Sequence, residues 1–176
     1  MKKTFSQIKE DTVLDVAQKM ALAAQTAPRA KGIDLIETII INGDDIKKLS
    51  NQTEAIGKRE NHLGFQRDAE NILSADAILL IGTKILQIGL KYCGLCGFKN
   101  CDENRSHNGV CVFNPGDMGI AVGSAVSVAA DHRLDNRIMY SIGMAAKENG
   151  WFSPEVKIAY GIPLSAGPKN PFFDRK

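Results

Sequence analysis

Apolar residues near the start of the chain recur every three or four positions. Val13, Leu14, Ala17, Met20, Ala21 and Ala24 fall on one stripe, so the spacing predicts a helix over 6–26 with a single buried face. Ala27-Pro28 ends it, because proline pushes the residue before it out of helical geometry. Arg29-Ala30-Lys31-Gly32 follows as a basic turn. The pattern then changes to a short β-branched run, LIETIII at 35–41, bounded by Gly32 and Asn42-Gly43; this reads as a strand. Residues 44–58 are mostly polar, with Ile46, Leu49 and Ile56 on one side, as in a surface helix. Beyond Gly64, residues Phe65, Ala69, Ile72 and Leu73 share a face of another short helix. AILLI at 77–81 is continuously apolar, as expected of a strand covered on both sides.

Residues 82–109 are rich in loop formers. Asn114-Pro115-Gly116-Asp117 then resembles a helix start, with Asn114 as the cap, Pro115 at the first helical position and Asp117 completing a capping box. That helix is expected to reach about Arg133. Gly119, Ala121, Gly123, Ser124, Ala125 and Ala129 make it small-sided nearly all round, which predicts burial among neighbours and close helix contacts at Gly119, Gly123 and Gly143. Asn136 is expected to cap a further helix ending near Asn149-Gly150. VKIAY at 156–160 reads as a last strand, stopped by Gly161-Ile162-Pro163 and followed by an irregular tail. The order of elements predicts one α+β domain over 1–176, a small sheet packed by helices, with a cysteine-rich insertion at 92–113.

Composition narrows the classes of function. A chain of 176 residues, 44% hydrophobic and 24% charged, has the composition of one folded domain. With 22 Lys+Arg against 20 Asp+Glu there is no basic excess, so nucleic acid is not an expected partner. No apolar run is long enough to span a bilayer. No apolar stretch follows Met1-Lys2-Lys3-Thr4, so no signal peptide is read and a cytoplasmic location is expected. Aromatic residues are 6% of the chain, so Ile, Leu, Val and Ala must build the core.

The cysteines carry the candidate chemistry. Their pattern is Cys93-x2-Cys96-x4-Cys101-x9-Cys111. An x2 spacing lets two sulfurs point at one centre from a tight turn, and Gly94 and Gly97 free the backbone to make it. Three close cysteines and one distant partner suit an iron–sulfur cluster better than the paired x2 spacings of structural zinc. A four-iron cluster is preferred, although the plant-type two-iron pattern has x4 and x2 gaps in the reverse order. Zinc stays open as an alternative, with His107 as a substitute ligand, and four reduced thiols without metal is the plainer reading. The helix that follows Cys111 would place its positive end near an anionic cluster, Asp117 would oppose it if turned that way, and Lys91, Lys99 and Arg105 would screen the charge. No nucleophile motif accompanies these residues, so no catalytic residue is assigned. His132 falls near a helix end, and Asp131, Arg133, Asp135 and Arg137 read as a solvated, salt-bridged corner.

Long blocks of the chain resemble a family of uncharacterised bacterial and archaeal proteins described as containing a ferredoxin domain. They are AAQTAPRAKGIDLIETIIING, FQRDAENILSADAILLIG, CGLCGFKNC, CVFNPGDMGIAVGSAVSVAADHRLDNRIMYSIG and KIAYGIPLSAGPKNPFFDR. The resemblance implies an iron–sulfur cluster on the four cysteines and a ferredoxin-like character for 92–113. A second similarity is to the FMN-dependent nitroreductase fold. It rests on the helix ending in Ala27-Pro28 before the strand at Ile39 to Ile41, on Asp117-x-Gly-Ile-Ala with Ala129-Ala130, and on Gly161-x-Pro163 followed by Lys169. It implies a nitroreductase-like α+β fold, an intertwined homodimer and FMN at the subunit interface. Where that family grips the flavin phosphate from its first helix, this chain has Thr4-Phe5-Ser6-Gln7, which leaves Arg29, Lys31 and Lys169 as the implied phosphate contacts. The expected function is therefore an iron–sulfur redox protein, passing electrons between a redox partner protein and a bound flavin or small molecule. The alternatives are an FMN-dependent oxidoreductase with secondary cysteines, and a structural zinc-binding protein without catalysis.

Overall fold

A computed structural model describes residues 2–173. Met1 of the basic start, and Asp174-Arg175 at the close of the last resemblance block, lie outside the described residues. The first helix, α1 (Phe5–Thr26), is capped by Thr4: its hydroxyl accepts from the Gln7 N–H, and the Gln7 side chain accepts from the Thr4 N–H. Its buried stripe is Val13, Val16, Ala17, Met20 and Ala24, with Leu14 and Ala21 at the margins. The basic turn is a 3-10 turn, Ala30–Gly32, in which Lys31 (φ 56°) and Gly32 (φ 66°) are left-handed. Then come β1 (Ile36–Ile41), α2 (Asp44–Arg59), α3 (Leu63–Ile72) and β2 (Ala77–Lys84). After a long connection follow α4 (Cys101–Ser106), α5 (Phe113–Asp131), β3 (Asp135–Asn136), α6 (Tyr140–Glu148), β4 (Val156–Ser165) and a last 3-10 turn, Pro171–Phe173. Among the described residues no helix is long and apolar enough to cross a membrane.

The four strands form one antiparallel sheet in the order β1-β2-β4-β3. Side chains of a strand alternate between faces. Ala77, Leu79 and Ile81 of β2 therefore join Ile162 and Leu164 of β4 beneath α1 and α5. Ile78 and Leu80 pack on the other side against α2, α3 and α6. All five residues from Ala77 to Ile81 are fully buried. Each large one contributes about 1.5–3 kcal/mol, and that double burial is why the run is apolar without alternation.

Several expected boundaries move. β4 does not stop at Tyr160 but runs through Gly161 and Pro163 to Ser165. Gly161 exchanges both backbone hydrogen bonds with Met139 on the side away from β2. Pro163, two residues on, faces that same side, so its missing N–H interrupts nothing in the β2–β4 ladder. Asn136 does not cap a helix; it pairs with Leu164 in β3, and α6 begins at Tyr140. α5 begins at Phe113, and its cap position, Val112, makes no side-chain bond. Nor is α5 surrounded: Met118, Ala121, Val122, Ala125 and Ala129 are buried, while Gly119, Ile120 and Gly123 face outward with nothing near either glycine. The third glycine does make the expected close approach, since a Cβ on Gly143 would stand 2.2 Å from the Ala159 carbonyl oxygen. The charged corner also opens: Arg137 donates to the Phe172 carbonyl at 2.9 Å and lies 3.6 Å from the buried carboxylate of Asp68.

Glu37 on β1 anchors the turn before β4, accepting from the hydroxyl and the N–H of Ser153 with Lys84 at 3.4 Å. Burial pushes its carboxyl up, but the Ser153 and Lys84 bonds outweigh this and hold it below its ordinary 4.5. A carboxyl whose pKa is lowered by folding stabilises above its unfolded value, and that stability is lost as pH falls through the folded value. Glu37→Gln is expected to flatten the acid-side loss of stability below pH 4.5, measured as denaturation midpoints across a pH series. Gly143→Ala is expected to destabilise the fold by roughly 1–3 kcal/mol, because backbone on the facing strand cannot yield as a side chain can; urea unfolding measures it.

Candidate metal centre

Between β2 and α5 the chain leaves the sheet and carries all four cysteines. Cys93 immediately precedes, and Cys96 lies within, a tight turn closed by the Gly97 N–H on the Gly94 carbonyl at 2.9 Å. Gly94 (φ 128°) and Gly97 (φ 86°) hold backbone angles that side-chain-bearing residues rarely adopt, which is the role their positions predict. Cys101 opens α4; Asn100 before it caps the helix, accepting from the Glu103 N–H at 2.9 Å. Cys111 lies two residues ahead of α5 and is buried, whereas the other three are half-buried. All four are free thiols and all line one cavity of about 30 Å³, together with Lys91 and Lys99. Among the described residues no three His, Cys, Asp or Glu side chains meet closely enough to hold a single metal ion. The donors thus ring a space rather than converge on a point.

Two polar residues that sequence reasoning passed over assemble this ring. Asn104 on α4 is 1% exposed and lines the cavity. Its side-chain oxygen accepts from Gln87 at 2.7 Å, and its amide donates to the Val110 carbonyl at 3.2 Å. Gln87 also donates to the Gly109 carbonyl at 3.1 Å, and the Gly109 N–H returns to the Asn104 carbonyl at 2.8 Å. Asn114, expected to cap α5, lies buried inside its first turn and accepts the Leu86 N–H at 3.0 Å, fastening the outgoing chain to the returning helix. Helical spacing could not reveal these roles, since every partner is distant in sequence or belongs to the backbone.

The other predicted residues are placed as follows. His107 is the C-cap of α4; its Nδ1 lies 2.9 Å from the Glu103 carbonyl, its ring is beside Phe98, and it lines no part of the cysteine cavity. It does not supply the substitute ligand of the zinc alternative. Lys91 and Lys99 do line the cavity, while Arg105 pairs with Asp102 at 2.8 Å. Asp117 lines no part of the cysteine cavity; it accepts the Ala30 N–H at 3.0 Å and walls an open apolar groove with Pro28, Leu95, Val112, Phe113 and Ile120. His132 is the C-cap of α5, as its position suggests.

Within one chain the implied phosphate contacts stand apart. The Arg29 side chain is 7% exposed; it pairs with Asp34 and donates to the Ala24 and Gln25 carbonyls, so it closes the C-terminus of α1. Lys31 donates to the Ile88 carbonyl at 3.3 Å. Lys169 follows β4, and its neighbour Asn170 donates to Asn136 of β3, on the opposite edge of the sheet from β1. The groove near Arg29 presents the Asp117 carboxylate, which would repel a phosphate. Within one chain the three cations therefore do not converge on a single phosphate.

Comparison with known proteins adds the following. Residues 107–175 match the family described as "Uncharacterized protein containing a ferredoxin domain"; of the four cysteines that stretch includes Cys111 alone. An "Uncharacterized protein" of Archaeoglobus fulgidus is 41% identical over 175 residues, covering 95% of this chain and 94% of its own. Among solved structures, a nitroreductase with bound FMN from Desulfitobacterium hafniense aligns with a TM-score of 0.60 at 12% identity, over 88% of this chain and 78% of that one. The nitroreductase CinD from Lactococcus lactis, in complex with nicotinic acid, gives 0.60 at 14%, over 91% and 82%. A BluB-like flavoprotein from Clostridium difficile gives 0.58 at 17%, over 89% and 81%. At these identities the likeness is one of fold: the chain has a nitroreductase-like α+β fold.

Arg29→Gln is expected to cost about 1.5–3 kcal/mol, the usual worth of hydrogen bonds to a buried charged group; thermal unfolding of the variant measures it.

Proposed function

The chain belongs to the family of uncharacterised proteins containing a ferredoxin domain, and on that premise we propose that its four cysteines hold an iron–sulfur cluster and that the protein carries electrons. One observation carries the reading: free thiols from three separate stretches of chain line a single cavity. The donor set is entirely soft sulfur, which suits Fe–S clusters, zinc or copper(I) and not hard cations. Three close cysteines and one distant partner suit a cluster better than the paired spacings of structural zinc. A cluster shares its ligation among several irons, so a ring of thiols favours it, with the four-iron form preferred.

When bound, such a cluster takes up and gives back an electron. The protein's part is to hold it and set its charge environment. Lys91 and Lys99 on the cavity wall offset the negative charge of the thiolates. The start of α5, two residues beyond Cys111, adds a positive helix end worth about 0.3–1 kcal/mol toward the reduced state. The Asp117 carboxylate, which accepts the Ala30 N–H, lies outside the lining of the cysteine cavity. Cys93, Cys96 and Cys101 stay half-buried, which leaves the cluster within reach of a redox partner, protein or small molecule. A flavin relay draws support from the fold and little from Arg29 or Lys31, each placed for other contacts.

Protein purified without oxygen is expected to contain iron and acid-labile sulfide in equal amounts and to show broad visible absorption that bleaches on reduction. Cys111→Ser should lose most of both while keeping the folded core. Zinc without sulfide, or metal-free protein that takes up neither element on anaerobic reconstitution, would overturn the reading.

A further inference from the structure

We propose that Asn104, working with Gln87, is the positioning residue of the cysteine site. It locks the three cysteine-bearing stretches into one frame and shields Cys111. The shielding stands on the structure alone; the consequence for a cluster rests on the reading above. A buried amide is costly unless both its oxygen and its nitrogen are satisfied, and at Asn104 both are. The partners are what matter. Gln87 lies on the stretch that leads to Cys93 and Cys96, Asn104 lies one turn beyond Cys101, and Val110 immediately precedes Cys111. One side chain therefore joins all three. The backbone closes the same frame: Gly109 approaches so near that a Cβ there would stand 2.7 Å from the Asn104 amide nitrogen and 2.8 Å from the Phe98 ring. Leucine could fill the space but could not make the bonds, and aspartate would keep the bond from Gln87 while losing the donor to Val110. A fully satisfied buried polar network specifies one arrangement where apolar packing would allow several.

The test begins with the reduced, metal-free full-length protein. Iodoacetamide alkylation of each cysteine, resolved by peptide mass spectrometry, should find Cys111 the slowest of the four. Asn104→Leu should speed alkylation of Cys111 by about tenfold, the equilibrium worth of one to two lost neutral hydrogen bonds, with Asn104→Asp between it and the native protein. Circular dichroism confirms that the sheet and helices persist. Should Asn104→Leu fail to fold, Gln87→Ala removes the bond to Asn104 and a second to the Gly109 carbonyl from a half-buried position, and is expected to shift Cys111 in the same direction. A Cys111 rate within twofold of native in the folded variants overturns the proposal.

The second arm is anaerobic reconstitution with iron and sulfide. Asn104→Leu should take up less of both, and the fraction that loads should show an altered reduction potential and electron paramagnetic resonance signal. Asn104→Asp, which keeps one of the two bonds, should load to an extent between Asn104→Leu and the native protein. If the native protein takes up neither element, the cluster reading fails while the alkylation result still decides the role of Asn104. If native and Asn104→Leu load equally with the same potential, the positioning role fails while the cluster reading stands.

Discussion

Burial of the central strands on both faces is the constraint from which the rest of this structure follows. With α1 and α5 on one side and α2, α3 and α6 on the other, the β2–β4 pair has no face left for a ligand. Chemistry can be placed only where the chain leaves the sheet. β2 ends where the Lys84 N–H bonds to the Leu35 carbonyl, and the next stretch runs outside the layers until α5 brings it back against α1. All four cysteines lie on that excursion. Rigid layers therefore hold both ends of a stretch whose middle has no regular strand or long helix, and side-chain amides supply the order that secondary structure does not.

That division explains how charge is used. Three cations that look available in the sequence serve the framework. Arg29 closes α1, Lys31 ties the 3-10 turn to Ile88, and Arg137 links the buried Asp68 to the tail at Phe172. Such residues are poor anion binders, because releasing them would leave buried carbonyls or a carboxylate unsatisfied. Lys91 and Lys99 differ, since they face the cavity that the thiols line. The electrostatic environment that counts for a sulfur-ligated centre is thus local to the excursion. Within one chain, Arg29 and Lys31 are tied to the framework and not to one another.

The glycines divide in the same way, and not by their spacing. Gly94 and Gly97 are required by backbone conformation, Gly109 and Gly143 by the closeness of a neighbour, and Gly119 and Gly123 by neither within one chain. The three classes look alike as letters. Only a packed neighbour, or its absence, separates a glycine that must be small from one that merely is.

Local patterns settled much of this protein without coordinates. The apolar stripe of the first helix, the stop at Ala27-Pro28, the doubly buried run at 77–81 and the turn between Cys93 and Cys96 all depend on residues within a few positions of one another, and period and backbone preference report such interactions directly. Tertiary structure decided what depends on distant partners. Pro163 can sit in a central strand because the side it faces bonds to Met139 and not to β2; Asn136 pairs as a strand because Leu164 lies beside it. Asp117 turns to Ala30, 87 residues away, and Asn114 to Leu86, 28 away, where local rules made both into caps. Asn104 carried no signal at all, since an asparagine in a polar helix declares its role only when Gln87 and Val110 arrive at its two ends. A hydrogen bond is specific in space and anonymous in sequence, and for that reason the cysteines could be read from the chain while the residues that hold them in place could not.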